Sequence, residues 1–98
     1  PVDLVTDGTR VLRISNGHPL MGYVTGTGCT ATATIGAFLA VDNDPVRATA
    51  TALSFFGLAG EIAAETASAP GTFMIQMLDA LYTVTPRQLR ERCKIEGE

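Results

Sequence analysis

One glycine-rich turn that carries a cysteine has residue types able to do chemistry. Gly26-Thr27-Gly28-Cys29 lies where an apolar stretch gives way to a segment of helical periodicity, residues 28–41. Glycine lets a backbone approach a ligand closely, and the first turn of a helix presents N–H groups that have no partner within the helix. Such a turn suits a phosphate, and its positive field favours the thiolate of a cysteine. The turn therefore predicts an anion site with a reactive Cys29.

A purely structural interpretation of the same turn stays open. The glycines could form a tight turn in which Cys29 is a small buried side chain. The turn lacks the lysine of the nucleotide-binding phosphate loop, so it is not a site of that kind. Other residues favour structural roles: His18 in a loop with no metal-ligand partner at suitable spacing, Cys93 as a bystander thiol, and Phe55-Phe56 in the core.

Two short strands and a loop come before the turn. Residues 2–6 and 10–15 are rich in Val, Leu and Ile, and they are separated by an Asp-Gly-Thr sequence. Asp-Gly between such runs predicts a β-hairpin, because both residues tolerate a positive φ. Residues 16–19, Asn-Gly-His-Pro, are predicted as a loop, and residues 20–24 as a short strand or an extended segment.

A helix is expected to begin at the turn, and a second one follows it. In the first, residues 28–41, Gly36 permits the close approach of a neighbour. Asp44 as N-cap and Pro45 at the first helical position predict the start of the second helix. Helical spacing places four apolar side chains of the first helix toward the core: Ala31, Ile35, Phe38 and Leu39.

The second helix is predicted over residues 45–67. Its apolar residues lie nearly all round, which indicates burial on more than one side, and Glu61 and Glu65 mark its solvated stripe. After a break at Ser-Ala-Pro-Gly, residues 72–82 form a third helix, and a last one extends from a cap at residue 85 to about residue 94. The third helix is expected to face inward through Phe73, Met77, Leu78 and Leu81.

Composition and charge exclude several classes of function. The 98 residues are 46% hydrophobic with a net charge of −3, which is a globular composition without the basic surface that nucleic acid requires. No apolar run reaches the roughly eighteen residues of a membrane span, and no signal-peptide pattern is present. Cys29 and Cys93 lie far apart in unlike contexts, which favours two reduced thiols in a cytosolic protein over a disulfide.

A resemblance to one known family centres on the turn. The hydroxyethylthiazole kinases, of the ribokinase-like superfamily, are similar in their C-terminal third to residues 17–41, GHPLMGYVTGTGCTATATIGAFLAV. The similarity extends to residues 2–8 (VDLVTDG), 58–73 (LAGEIAAETASAPGTF) and 77–85 (MLDALYTVT). It covers about residues 1–85, and the tail after Pro86 is not specific.

Two alternatives to this family remain. The hydroxymethylpyrimidine phosphate kinases of the same superfamily share the Gly-Thr-Gly-Cys turn, although the segments on both sides of it favour the thiazole enzyme. A small module that binds a partner through its apolar helix faces, without catalysis, is the alternative from another class.

The resemblance implies a fold as well as an activity. It implies an α/β fold, namely the C-terminal part of a three-layer ribokinase-like α/β/α fold, with a β-hairpin followed by several helices. Residues 1–98 are then a single incomplete domain, in which 1–24 supply the strands and hairpin and 25–98 the glycine-rich turn and helices. A chain that starts at Pro1 with strand-like sequence agrees with a piece of a longer kinase.

The activity that the resemblance implies is transfer of the γ-phosphate of ATP, with Mg²⁺, to the hydroxyl of 4-methyl-5-(2-hydroxyethyl)thiazole. Cys29 occupies the position of the superfamily's catalytic aspartate, Gly26 that of a substrate contact, and the backbone N–H groups of Gly26, Thr27, Gly28 and Cys29 form the anion hole. The family's phosphate-binding arginine and magnesium-binding acids lie upstream of Pro1, so no metal ligand is assigned here and the chain alone is not expected to be active. A cytoplasmic homotrimer with thiazole sites between subunits completes the expectation.

Overall fold

A small antiparallel sheet and a group of helices make up the chain, which is a mixed α/β arrangement. The computed structural model describes residues 2–24 and 26–97, with Thr27 described through its backbone only. Among these residues, three strands form one sheet in the order β1 (Asp3–Thr6), β2 (Val11–Ile14) and β3 (Ile95–Gly97). The predicted domain limits at residues 1 and 98 and the boundary at 25 lie outside the described residues.

Helices supply the rest of the regular structure. A short 3-10 helix spans Pro19–Tyr23, and it is followed by α1 (Thr27–Leu39) and α2 (Pro45–Ala64). The chain continues through α3 (Pro70–Thr83) and α4 (Pro86–Arg92). The sheet, α1 and α3 all pack on α2, so the prediction that α2 is buried on more than one side is confirmed.

The predicted hairpin is confirmed. Strands β1 and β2 pair antiparallel, with Thr6 opposite Val11 beside the turn. Gly8 has a φ of 93°, and the Asp7 carboxylate accepts hydrogen bonds from the next backbone N–H groups, Thr9 at 2.9 Å and Arg10 at 2.9 Å. The Asp-Gly pair predicted the turn correctly because Gly8 supplies the positive φ and Asp7 supplies a hydrogen-bond acceptor within the turn itself.

Two predicted helix starts are confirmed, whereas a third is wrong, because α3 begins at Pro70 and not at residue 72. The Asp44 side chain accepts hydrogen bonds from two backbone N–H groups in the first turn of α2, and Pro45 is the first helical residue. At α4, Thr85 and Gln88 form a reciprocal capping box, in which each side chain accepts a hydrogen bond from the other residue's backbone N–H. These signals depend only on neighbouring residues, which is why they can be found in the sequence.

Several other predictions are wrong. Residues 20–24 are not a strand, because the His18 side chain caps a 3-10 helix that begins at Pro19. The final helix ends at Arg92 and not at 94, because the tail pairs with the free edge of β2 as β3. The second helix likewise ends at Ala64, short of residue 67.

Burial corrects two inward-facing assignments and one close approach. Leu39 is 43% exposed and Leu78 is 57% exposed in the described chain. A Cβ at Gly36 meets no heavy atom within 4 Å among the described residues, whereas one at Gly57 would lie 2.6 Å from the backbone of Asn16. The glycine that permits a close approach is therefore in α2.

Two apolar clusters form the core on opposite sides of α2. The first joins α2 to α3, and the second joins α2 to the sheet. The members of the first are Phe56, Ala59, Ala63, Ala67, Phe73, Met77 and Ala80, and those of the second are Val5, Ile14, Val46 and Ala50. No helix in the described part of the chain has the length and apolar character needed to cross a membrane.

Candidate functional site

The glycine-rich turn forms the amino-terminal end of α1. Gly26 is the N-cap with a φ of 92°, a left-handed conformation that strains any residue with a side chain. Its carbonyl accepts the Thr30 N–H at 2.9 Å, which closes the first helical turn. The N–H groups of residues 26–29 therefore have no acceptor within the helix. Backbone donors that converge at a helix start are suited to an anion.

The outer side of this turn is open. A Cβ at Gly26 or at Gly28 would meet no heavy atom within 4 Å among the described residues. Cys29 is exposed, so it is not the small buried side chain of the structural interpretation in this chain. The turn thus presents its backbone donors and one thiol to the same open side.

An apolar cleft of about 100 Å³ lies beside the turn. Gly26 and Thr30 line it on one side, and apolar side chains of α2 and α3 line the other, among them Phe56, Met77 and Leu81. Apolar walls next to backbone N–H donors can hold a ligand that joins an anionic group to an apolar or aromatic part.

A buried polar cluster that the sequence analysis missed lies where residue 16 meets α2. Asn16 is only 6% exposed, and its side-chain amide makes four hydrogen bonds. Its Nδ2 donates to Glu61 Oε2 at 2.6 Å and to the Arg92 carbonyl at 3.1 Å, while its Oδ1 accepts from Ser54 Oγ at 2.6 Å and from the Lys94 N–H at 2.7 Å. The loop predicted over residues 16–19 is therefore held in place by its first residue, Asn16.

Glu61 belongs to this cluster and not to a solvated stripe. Its side chain is only 14% exposed, and it also accepts from the Gly17 N–H at 3.0 Å and from Lys94 Nζ at 3.1 Å. Burial raises the pKa of the Glu61 carboxyl, but its three hydrogen-bond donors outweigh burial and hold the pKa below its usual value. Glu65 is exposed and pairs with Arg92 at 3.1 Å, so only this half of the predicted stripe is confirmed.

Two ion pairs join the hairpin and the α1–α2 connection to the start of α2. Arg10 makes two hydrogen bonds to the Asp44 carboxylate, and Arg47 makes two to that of Asp42. The arginine side chains lower the pKa of each aspartate to about 2. These guanidinium groups are thus engaged with carboxylates in this chain.

The remaining residues considered in the sequence analysis have structural roles or lie at the surface. His18 caps the 3-10 helix by accepting the Leu20 N–H on Nδ1 at 3.1 Å, and its ring centroid lies 6.4 Å from that of Phe73. Phe56 is in the core, and Cys93 is exposed at the end of α4. Among residues 2–24 and 26–97, no three His, Cys, Asp or Glu side chains group closely enough to hold a metal ion.

Comparison with known proteins agrees with this arrangement. Residues 1–87 match the hydroxyethylthiazole kinase family. A hydroxyethylthiazole kinase of Desulfotalea psychrophila is 64% identical over 96 residues, covering 98% of this chain and 35% of the relative. One from Cereibacter sphaeroides is 54% identical over 97 residues, covering 99% of this chain and 37% of the relative. The chain belongs to the hydroxyethylthiazole kinase family.

A solved structure shares the fold. The hydroxyethylthiazole kinase protein of Pyrococcus horikoshii OT3 superposes with a TM-score of 0.94 and is 44% identical, with 99% of this chain and 38% of that chain covered. The present chain therefore spans about a third of the length of the relatives it matches. The alignments also include the tail after Pro86, which the motifs alone left unassigned. The family match does not favour the pyrimidine kinases or a non-catalytic module.

Proposed function

We propose that this chain supplies the phosphate-binding turn of an ATP-dependent kinase that phosphorylates the hydroxyl of 4-methyl-5-(2-hydroxyethyl)thiazole in thiamine salvage. The observation that carries the proposal is the open turn at residues 26–29, beside an apolar cleft, in a chain 64% identical to a hydroxyethylthiazole kinase. Family membership alone would leave the site unassigned, and the turn alone would leave the substrate unassigned.

The turn acts as an anion hole in this proposal. The backbone N–H groups of Gly26, Thr27, Gly28 and Cys29 stabilise the charge on the transferring phosphoryl oxygens. Phosphoryl transfer depends mainly on positioning and electrostatic stabilisation, and backbone donors fixed by a helix need little rearrangement as the charge develops. Gly26 also lies against the thiazole substrate, where its left-handed backbone leaves room for a close approach.

Cys29 is the proposed catalytic residue. Its exposed thiol stands in the first turn of α1, on the same end of the helix as the anion hole. A primary alcohol is a poor nucleophile, and a nearby base accepts its proton late in a loose transition state. A thiolate is a weaker general base than its nucleophilicity suggests, so in this proposal Cys29 acts chiefly by positioning the substrate hydroxyl.

ATP fits the described residues, and magnesium does not. The glycine-lined turn accommodates phosphate oxygens without a side chain in the way. The described part of the chain contains no group of three metal-ligating side chains, so we derive no step through Mg²⁺ and propose that its ligands belong to the preceding part of the protein. When bound, Mg²⁺ neutralises charge on the transferring phosphates.

The proposed whole protein is longer than this chain. We call it the full-length kinase, meaning this chain preceded by the amino-terminal two thirds that its relatives possess. We propose a cytoplasmic homotrimer with thiazole sites between subunits, and the exposed apolar side chains of α3, Ile75, Leu78 and Tyr82, agree with burial against further protein. Light scattering that shows a stable, active monomer would refute the trimer.

The test of the function is ADP formation by the full-length kinase. ADP should form only when hydroxyethylthiazole is added, and hydroxymethylpyrimidine and its phosphate should not replace it. The isolated 98-residue chain should give no measurable ADP, since it lacks the cationic and metal-binding partners of the phosphates. Activity with the pyrimidine but not the thiazole would overturn the substrate, and activity of the isolated chain would overturn the proposed division of labour.

A further inference from the structure

Asn16 links four parts of the chain through one side chain. Its amide contacts two residues of α2, Ser54 and Glu61, and also the carbonyl at the end of α4 and the N–H that begins the tail strand. An asparagine amide offers two donor hydrogens and one acceptor oxygen with two lone pairs, and all of these are used here. This residue is consequently held in one position and one orientation.

The backbone after Asn16 lies directly on α2. A Cβ at Gly57 would come within 2.6 Å of the Asn16 carbonyl carbon and oxygen, and one at Gly60 within 2.6 Å of Met21 Sδ. Glu61 on the same helix accepts the Gly17 N–H at 3.0 Å. The segment 16–21 therefore rests on a strip of α2 that is bare of side chains, and the cluster at Asn16 fixes where along the helix it rests.

This segment comes before the phosphate turn in the chain. The 3-10 helix begins within it at Pro19, packs against the α2–α3 core through Leu20 and Met21, and ends at Tyr23. Val24 comes next and lines the cleft together with Gly26. A displacement of the segment on α2 would thus move Val24 and the wall of the cleft that it forms together with Gly26.

We infer that Asn16 is a positioning residue for phosphoryl transfer, which it serves by joining α2 and the carboxyl-terminal tail to the segment that sets the phosphate turn. The inference rests on the proposed function. Asn16 is not among the residues that line the cleft beside the turn, so we assign its effect to the position of the turn. A displacement of about 1 Å at reacting groups can lower a rate by on the order of a hundredfold, so the expected signature is a loss of kcat.

The polarity of the Asn16–Glu61 hydrogen bond provides a sharp test. Asn16→Asp in the full-length kinase removes the donor and places a second carboxylate beside that of Glu61. Adding Glu61→Gln restores an N–H donor opposite the new carboxylate and so reverses the direction of the bond. Asn43→Asp is the matched control, because it makes the same chemical change at an exposed position between α1 and α2.

We expect Asn16→Asp to lower kcat by about tenfold or more, with the KM values for both substrates nearly unchanged. The double variant should recover part of that loss, because it restores a hydrogen bond between residues 16 and 61 while the Arg92 carbonyl and the Gly17 N–H lose their partners. Asn43→Asp should behave as the parent enzyme. An Asn16→Asp kinase with the kcat of Asn43→Asp, or a change confined to KM, would overturn the inference. If thermal melting shows that Asn16→Asp does not fold, Ser54→Ala is the second variant. It removes one donor to Asn16 and should also lower kcat, by a smaller factor.

A readout independent of activity separates this inference from the proposed function. A parent kinase that forms no ADP would overturn the proposed function. The rate at which iodoacetamide labels Cys29 would still report the position of the turn. That rate should change in Asn16→Asp and shift part of the way back in the double variant, while the Cys93 rate serves as an internal reference. An unchanged Cys29 rate in Asn16→Asp would contradict the positioning role even then.

Discussion

The phosphate turn and the glycine strip of α2 differ in what surrounds their glycines. At the turn, Gly26 and Gly28 have no heavy atom near a possible Cβ among the described residues, and in our proposal a ligand occupies that open space. On α2, Gly57 already has the backbone of Asn16 in that space, at 2.6 Å. The same residue type thus marks a surface kept free on one side of the site and a surface filled by the protein on the other.

Polar groups differ between the two regions in the same way. The N–H groups at the start of α1 have no acceptor within the helix, as a site for a charged ligand requires. No side-chain polar atom in the described residues is both buried and without a hydrogen-bond partner, and Asn16 uses its full bonding capacity. In the proposed site, the turn therefore keeps backbone donors for a ligand, while the hydrogen-bonding capacity of Asn16 is already used.

We expect the largest effects from alanine substitutions at these two kinds of glycine. A substitution at the turn should lower activity, and one on α2 should lower stability. Gly28→Ala keeps the backbone N–H but places a methyl group where we propose that the phosphates lie, so kcat/KM for ATP should fall on the order of a hundredfold without a loss of melting temperature. Gly57→Ala should instead lower the free energy of unfolding by about 1–3 kcal/mol through overpacking against Asn16. Steady-state kinetics and thermal melting of the full-length kinase measure both. Equal losses of stability in the two variants would contradict the comparison.

Thiol labelling should distinguish the turn from an ordinary exposed position. Cys29 and Cys93 are both exposed, but only Cys29 stands at the amino-terminal end of a helix. In the full-length kinase, ATP should slow the reaction of Cys29 with iodoacetamide and leave that of Cys93 unchanged, because bound phosphates cover the turn. Mass spectrometry of labelled peptides gives both rates in one sample. Equal rates that do not respond to ATP would remove Cys29 from the site.

A smaller effect is expected from the exposed ion pair at the start of α2. The hydrogen bonds from Arg10 hold the pKa of Asp44 at about 2, below the ordinary 3.8. Because the folded-state pKa is the lower one, the stabilisation is complete above pH 3.8 and is lost as the pH falls toward 2. Asp44→Asn keeps the helix cap and removes this pairing.

The melting temperature of Asp44→Asn should therefore fall less steeply between pH 4 and pH 2 than that of the parent protein. Asp79→Asn, at an exposed position on α3, is the control for a general change in charge. A parallel slope in Asp44→Asn and the parent would show that this pair does not contribute to acid stability.

The sequence predicted the parts of the molecule that depend on neighbouring residues. The hairpin at Asp7-Gly8, the cap at Asp44 and the helix that begins at the turn are each specified within a few positions, and each is present. The phosphate turn belongs to this group, which is why a site could be proposed before its surroundings were known.

The support of the site could not be predicted, because its contacts span the chain. Asn16 and Glu61 are separated by 45 positions, and Asn16 and Lys94 by 78. Strand β3 forms because β2 offers an edge to the tail, a condition that the tail sequence does not contain. Helical periodicity likewise predicted an inward apolar face through Leu78. Leu78 is exposed in the described residues, and periodicity alone could not show this.

The most direct test of the account is the kcat of a Cys29→Ala full-length kinase, measured beside Cys93→Ala as the control thiol. The account predicts that Cys29→Ala lowers kcat by about a hundredfold, within the range for a group acting on the proton of the nucleophile. The Kd for hydroxyethylthiazole should change little, because Cys29 acts in the transition state and does not anchor the ground state. Cys93→Ala should retain the parent kcat. A Cys29→Ala enzyme with the kcat of the parent would contradict the assignment of the turn as the place of phosphoryl transfer.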